Sequence, residues 1–143
     1  MSTNSLILVI IQLSTMFLLL VLDNPVTEGL GLLIQFFGAL IGVWAIATVK
    51  IGNFNIQPEV KSDSLISVGP YRWVRNPMYL AVILFFLPIV VKHFDWIKLI
   101  TFLILSITLL FKILREEKFL HQKFQDEYMN YKKHTWRLFP YIF

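Results

Sequence analysis

The chain alternates between long apolar runs and shorter polar segments. Four runs stand out, at residues 5–22, 29–49, 77–91 and 94–114. A helix needs roughly 20 apolar residues to cross the hydrocarbon of a bilayer, with about 17 to 25 tolerated. The third run is short by that measure, so it is expected to start earlier, to be shielded by its neighbours or to be incompletely exposed to lipid. Asp23, Asn24 and Pro25 close the first run. No Lys or Arg precedes that run and no small-residue cleavage site follows Leu22, so it reads as a span rather than a signal peptide. After the fourth run, Ile113, Leu120, Phe124, Tyr128 and Tyr131 recur at helical spacings, while Lys118, Lys123, Asp126 and Lys132 occupy the other face. Such a helix lies on a membrane or folds over the ends of the spans. The expected fold class is therefore all-α: a polytopic membrane protein with four transmembrane helices and a C-terminal amphipathic cytoplasmic helix. Its 143 residues make a single domain.

Composition agrees with the pattern. Charged residues are only 15% of the chain against 57% hydrophobic, where soluble domains carry about 25% charged residues. There is no cysteine, which excludes disulfides, thiolate ligands and cysteine nucleophiles. The net charge of +4 is unevenly placed. Of 13 Lys and Arg residues, four lie in the loop 50–76 (Lys50, Lys61, Arg72, Arg75) and seven from Lys112 onward. The first loop holds Asp23 and Glu28 with no basic residue. The positive-inside rule then puts the loop 50–76, the tail 115–143 and both termini in the cytoplasm. Basic charge is thus accounted for by topology and membrane lipids, and no nucleic-acid partner is expected.

Within the spans, Gly38-x-x-x-Gly42 reads as a packing seam, and Pro88 should bend the third helix. No acidic residue sits within the first three spans, as a small proton-coupled transporter would require. Ionisable groups gather at one face instead. The loop 50–76 is too long for a simple connector. It holds Gly52, Pro58, Gly69 and Pro70, yet Phe54, Ile56, Leu65, Ile66, Val68, Tyr71 and Trp73 give it groups to bury. Its end places Pro77 at the first position of a helix, with Asn76 as the expected cap, Arg75 beside it and Tyr79 at headgroup depth. At the end of the fourth span, Lys112 and Glu116 share a helix face and can pair, as at an ordinary solvated helix end. The adjacent carboxylates Glu116 and Glu117 would suit the hydroxyls or ammonium of a polar cofactor.

Two of these segments together resemble a known family. Gly69-Pro70-Tyr71 leading into Arg75-Asn76-Pro77-Met78-Tyr79, followed about forty residues later by Glu116-Glu117-x-x-Leu120, Phe124 and Tyr128-x-x-Tyr131, resembles the bipartite motif of isoprenylcysteine carboxyl methyltransferases. Phospholipid methyltransferases share a similar second half. The resemblance implies an integral membrane enzyme that uses S-adenosylmethionine to methylate a lipophilic or lipidated substrate. It implies a cofactor site made of Ser64, Leu65, Ile66, Tyr71, Asn76, Pro77, Met78, Tyr79, Glu116 and Glu117. It also implies a catalytic role for Glu116 and for the basic residues Lys112 and Arg115. Lys112 stands where prenylcysteine enzymes carry an Arg that approaches the substrate carboxylate, and Arg115 is a nearby substitute. Asn76 replaces a frequent His, and Ala81 a frequent Gly.

No metal site is expected, since His93, His121 and His134 are scattered. A carboxylate acceptor would need only orientation, by Lys112 or Arg115. An amine acceptor would need a base, for which Glu116 or Glu117 is the candidate. The lipophilic substrate is expected to enter sideways between spans three and four. The alternative reading is a non-catalytic four-span protein, a small transporter or adaptor on the same scaffold.

Overall fold

A computed structural model describes residues 3–49 and 64–142 of the chain. The loop residues Lys50, Gly52, Phe54, Ile56, Pro58 and Lys61 lie outside the described residues. Four helices account for most of the rest: α1 (Thr3–Leu22), α2 (Gly29–Val49), α3 (Pro77–Lys92) and α4 (Trp96–Lys133), with a short 3-10 turn at Gly69–Arg72. Among the described residues the only β pairing is an isolated bridge between Val74 and Trp136. Three helices, α1, α2 and α4, are long and apolar enough to cross a membrane. At 16 residues, α3 is shorter; it extends about 24 Å against roughly 30 Å of hydrocarbon.

In α1 and α2 the exposed face is the more apolar one, the reverse of a soluble bundle. The side chains that α1 buries are Ser5, Gln12, Thr15 and Leu19, spaced as one helical stripe. Its outward face shows Ile10, Leu13 and Phe17, the last 69% exposed. Likewise, α2 buries Gln35, Gly38, Ala45 and Val49 and exposes Phe36, Phe37 and Val43. Polar-in and apolar-out is what a hydrocarbon solvent selects, because polar groups must find their partners inside the protein. Gln35 is an example. It accepts from the backbone N–H and hydroxyl of Thr27 and donates to the carbonyls of Pro25 and Phe85. Phe85 lies one turn before Pro88, the residue expected to disturb α3, so a helix carbonyl near the proline gains an extra donor.

The helices do not pack in chain order. The backbone of α2 lies along α3, and that of α1 lies along α4, with α3 joining the two pairs. The α2–α3 seam is the glycine pair. A Cβ on Gly38 would come within 3.0 Å of the Leu84 Cβ and 3.1 Å of the Ala81 carbonyl. One on Gly42 would meet the Ala81 Cβ at 3.3 Å. The α3–α4 seam is filled by two apolar clusters. Phe86, Ile89 and Val90 meet Phe102, Leu105, Leu109 and Leu19 in one. Leu80 and Ile113 meet Val74 and Leu138 in the other. At the far end, the Lys98 ammonium donates to Asp23 Oδ2 at 2.7 Å and ties the α1–α2 turn to the start of α4.

The expected C-terminal amphipathic stretch continues α4 without a break after the apolar run. The chain does not break at the membrane boundary but runs on as helix to Gln125, whose φ of 40° and ψ of −112° interrupt it. A non-glycine residue there costs about 1–3 kcal/mol. What offsets it is the return of residues 126–133 toward the bundle. Tyr128 becomes buried, and the Tyr131 hydroxyl donates to the Tyr71 carbonyl at 2.6 Å.

Candidate functional site

Two chain segments forty residues apart meet at the basic end of the bundle. Pro77 starts α3, as its fixed φ and missing N–H favour. Asn76 occupies the cap position but does not cap with its side chain. Its Nδ2 donates instead to the Arg137 carbonyl at 3.0 Å. The expected cap thus serves as a tie to the C-terminal tail. The tail is held further by backbone bonds from Arg75 to the Trp136 carbonyl (2.8 Å) and from Trp136 to the Trp73 carbonyl (3.0 Å). The Arg75 guanidinium also reaches the carbonyls of Lys132 and Thr135.

This docking leaves a cavity of about 560 Å³ between the helices. Seven of the sequence-expected residues line it: Tyr71, Asn76, Pro77, Met78, Tyr79, Lys112 and Glu116. Arg75 lines it too. Most of the remaining lining is apolar, with Leu13, Met16 and Leu20 from α1, Gly42 and Ile46 from α2, and Phe85 and Phe86 from α3. Its polar and apolar parts suit one molecule with a charged head, or two, one of each character.

Glu116 and Glu117 face different ways. Glu116 accepts from the Tyr79 hydroxyl at 3.1 Å inside the cavity. Burial pushes its carboxyl above the ordinary value of 4.5, against the pull of the Tyr79 hydrogen bond and the Lys112 charge. Glu117 lies outside the cavity lining, buried, and accepts from Arg137 and Arg75. Burial acts against its charge as well, but the Arg137 hydrogen bond and the two guanidinium charges outweigh it and hold its carboxyl below the ordinary value. Tyr71, Tyr128 and Tyr131 have their phenols pushed up by burial, so they remain neutral.

Lys112 is 1% exposed and donates to Gln12 Oε1 of α1. Its ammonium also lies 5.5 Å from the centre of the Tyr79 ring. Arg115 does not line the cavity; its guanidinium stands over the Phe119 ring at 5.9 Å. Ser64, Leu65 and Ile66 also lie outside the lining, with Ser64 exposed and the other two half-buried. Among the described residues no group of His, Asp and Glu could hold a metal ion. Gln12 and Met16 of α1 were missed from the sequence. Gln12 carried a usable signal, as the one amide in the first apolar run, but nothing along the chain tells which helix it faces.

Residues 26–127 match the phospholipid methyltransferase family model. The chain belongs to the phospholipid methyltransferase family. No curated protein and no solved structure matches it. With three helices apolar and long enough to cross a bilayer, family membership makes it an integral membrane protein. The match begins after α1 and ends before the docked tail. Gln12, Arg137 and the Thr135–Leu138 segment are therefore contributed from outside the family's matched region.

Proposed function

We propose that the protein transfers a methyl group from S-adenosylmethionine to a lipophilic acceptor at the cytoplasmic face of the membrane. The basic loop and tail set that orientation, with both termini cytoplasmic and α3 completing a four-span bundle. The observation that carries the reading is one cavity in which Tyr71 and Asn76–Tyr79 meet Lys112 and Glu116. The cofactor's chemistry fits the donors present. Glu116, carboxylate toward the cavity and supported by Tyr79, would hold its hydroxyls or ammonium. Tyr71 and the Asn76–Met78 backbone would line the rest.

When bound, S-adenosylmethionine would supply an activated methyl for displacement by the acceptor lone pair, with a neutral thioether as the leaving group. The protein's part is proximity and orientation. Lys112 would hold a carboxylate acceptor, which needs no base. For an amine acceptor, Glu116 would take the proton. Because the α3–α4 seam is closed by apolar clusters, the expected entrance there is replaced by the gap between α1 and α2. The backbones of these two helices stay apart, and both line the cavity.

The test is calorimetric titration of purified protein with S-adenosylmethionine, beside a labelled-methyl assay against a total lipid extract and a prenylcysteine analogue. Binding that Glu116→Ala abolishes supports the site. Absence of binding to the wild type overturns it.

A further inference from the structure

Lys112 lies less than one turn inside the end of the fourth apolar run. A lysine so placed ordinarily snorkels outward to the headgroups. Here it does the opposite. The Asp23–Lys98 ion pair fixes a common level for α1 and α4 at the far end of the bundle. From that level Gln12 lies eleven residues up α1 and Lys112 fourteen residues up α4, heights of about 16 and 21 Å at 1.5 Å per residue. Side chains lean toward the N-terminus of their helix, which on α4 is toward the membrane interior. The ammonium is thus carried down to the level of Gln12 and donates to its amide oxygen. Gln12 is itself only 9% exposed, and both residues line the cavity.

Drawing a cation into the hydrocarbon level is costly; the Glu116 and Lys112 charges attract each other, yet the group that receives the ammonium from across the bundle is the neutral amide of Gln12. For the stability of α1 and α4, two apolar residues would serve better. We propose that Gln12 is a positioning residue, which holds the Lys112 ammonium inside the chamber so that it receives the anionic head, carboxylate or phosphate, of a chain-bearing acceptor. The inference rests on the methyltransferase reading for the word acceptor, but the recognition itself does not require turnover. Glu116 faces the same chamber one turn along α4 and suits the cationic end of the cofactor. Lys112 and Glu116 thus divide the two ligands by charge. Below Lys112 the lining is apolar, with Leu13, Met16 and Phe86, as an alkyl or prenyl chain requires.

The test uses the full chain in nanodiscs of uncharged lipid. Lys112 acetylation by acetic anhydride is followed by mass spectrometry, with Lys118 and Lys123 as internal references. Dodecyl phosphate and dodecanoate are expected to protect Lys112 at concentrations at which dodecylamine and inorganic phosphate do not. In Gln12→Leu the lysine should swing outward, its labelling rising several-fold and protection weakening at least tenfold. In Gln12→Glu the lysine should stay slow to label while its preference shifts from dodecyl phosphate toward dodecylamine, which a purely structural role for Gln12 would not produce. Equal protection by dodecylamine or by inorganic phosphate in the wild type would overturn the proposal, and that result needs no variant to fold. Wild-type labelling and protection in Gln12→Leu would overturn it as well. Failure of S-adenosylmethionine to bind would remove the methyltransferase reading and leave this result standing.

Discussion

Arg137 and Glu117 form a two-pronged ion pair on the side of α4 away from the cavity. The arginine Nε donates to Oε1 and Nη2 to Oε2, each at 2.9 Å. Arg75 adds a third bond, Nε to Oε1 at 3.3 Å. One carboxylate thus joins α4, the segment preceding α3 and the returning tail. The Glu-Glu pair is divided in labour: Glu117 fastens the parts that form the cavity, and Glu116 faces into it.

Glu117→Ala should release the tail. Removing one member of a buried, hydrogen-bonded charge cluster costs roughly 3–5 kcal/mol, and the loss leaves Arg75 and Arg137 facing each other. A thermal midpoint lowered by several degrees, together with faster proteolysis after residue 125, is the expected result. Arg137→Ala should do the same more mildly, because Arg137 is the more exposed partner. Unchanged proteolysis in both variants would show that the tail docks by apolar contacts alone.

Acid should act through the same carboxylate. The folded pKa of Glu117 is depressed, so its stabilisation is fully present above the ordinary value of 4.5 and is lost as pH falls through the lower folded value. Tail docking, followed by proteolysis or by Trp136 fluorescence, should therefore be flat from neutral pH to about pH 5 and fail only below the ordinary carboxylate range. In Glu117→Gln that acid step should disappear.

Glu116 should impose a different pH dependence on the cofactor. Its carboxyl is raised by burial, so it takes up a proton at a pH above 4.5 and loses its attraction for a cationic ligand there. S-adenosylmethionine affinity is expected to fall as pH drops through that raised value, before the tail is released. Glu116→Gln should flatten the profile and weaken binding about 10- to 100-fold, the worth of roughly 1.5–3 kcal/mol for a hydrogen bond to a charged group. Calorimetry between pH 5 and 8 measures both.

The glycine seam gives a graded pair of variants. Gly38→Ala places a Cβ within 3.0–3.2 Å of Leu84, Ala81 and Phe85, two of these contacts being to backbone atoms that cannot rotate away. It should destabilise by about 1–3 kcal/mol, as overpacking does, and shift α2 along the cavity wall. Gly42→Ala meets only the Ala81 Cβ at 3.3 Å and should cost less. Thermal unfolding in the same detergent ranks the two, and equal midpoints would contradict the seam.

Much of this was legible in the chain because the bilayer imposes one-dimensional signals. Apolar runs of sufficient length give α1, α2 and α4, and Pro77 marks where α3 begins. Spacing between Arg75-Asn76-Pro77 and Glu116-Glu117 is a sequence property, and the cavity does gather Tyr71, Asn76–Tyr79, Lys112 and Glu116. Other features were not legible. Two adjacent glutamates look alike in a sequence, yet about 100° of helix rotation sends Glu116 to the cavity and Glu117 to two arginines. Asn76 satisfies the rule for a cap, but a nearby carbonyl of Arg137 claimed its amide. The break in α4 falls at Gln125, with neither glycine nor proline to announce it. It is held by contacts such as Tyr131 to Tyr71 that span sixty residues.

By itself, then, the sequence determined that the protein is a helical membrane protein with its basic charge on one face and a bipartite motif there. Hydropathy, local spacing and charge asymmetry are properties of the chain read in order. Only the tertiary structure decided that α1 pairs with α4 and α2 with α3, that residues of all four helices line one chamber, and that Gln12 meets Lys112 a hundred residues away. Those choices depend on which side chains fit which seam, the glycines of α2 against Ala81 and the clusters of α3 against α4. Such fit is decided among all helices at once.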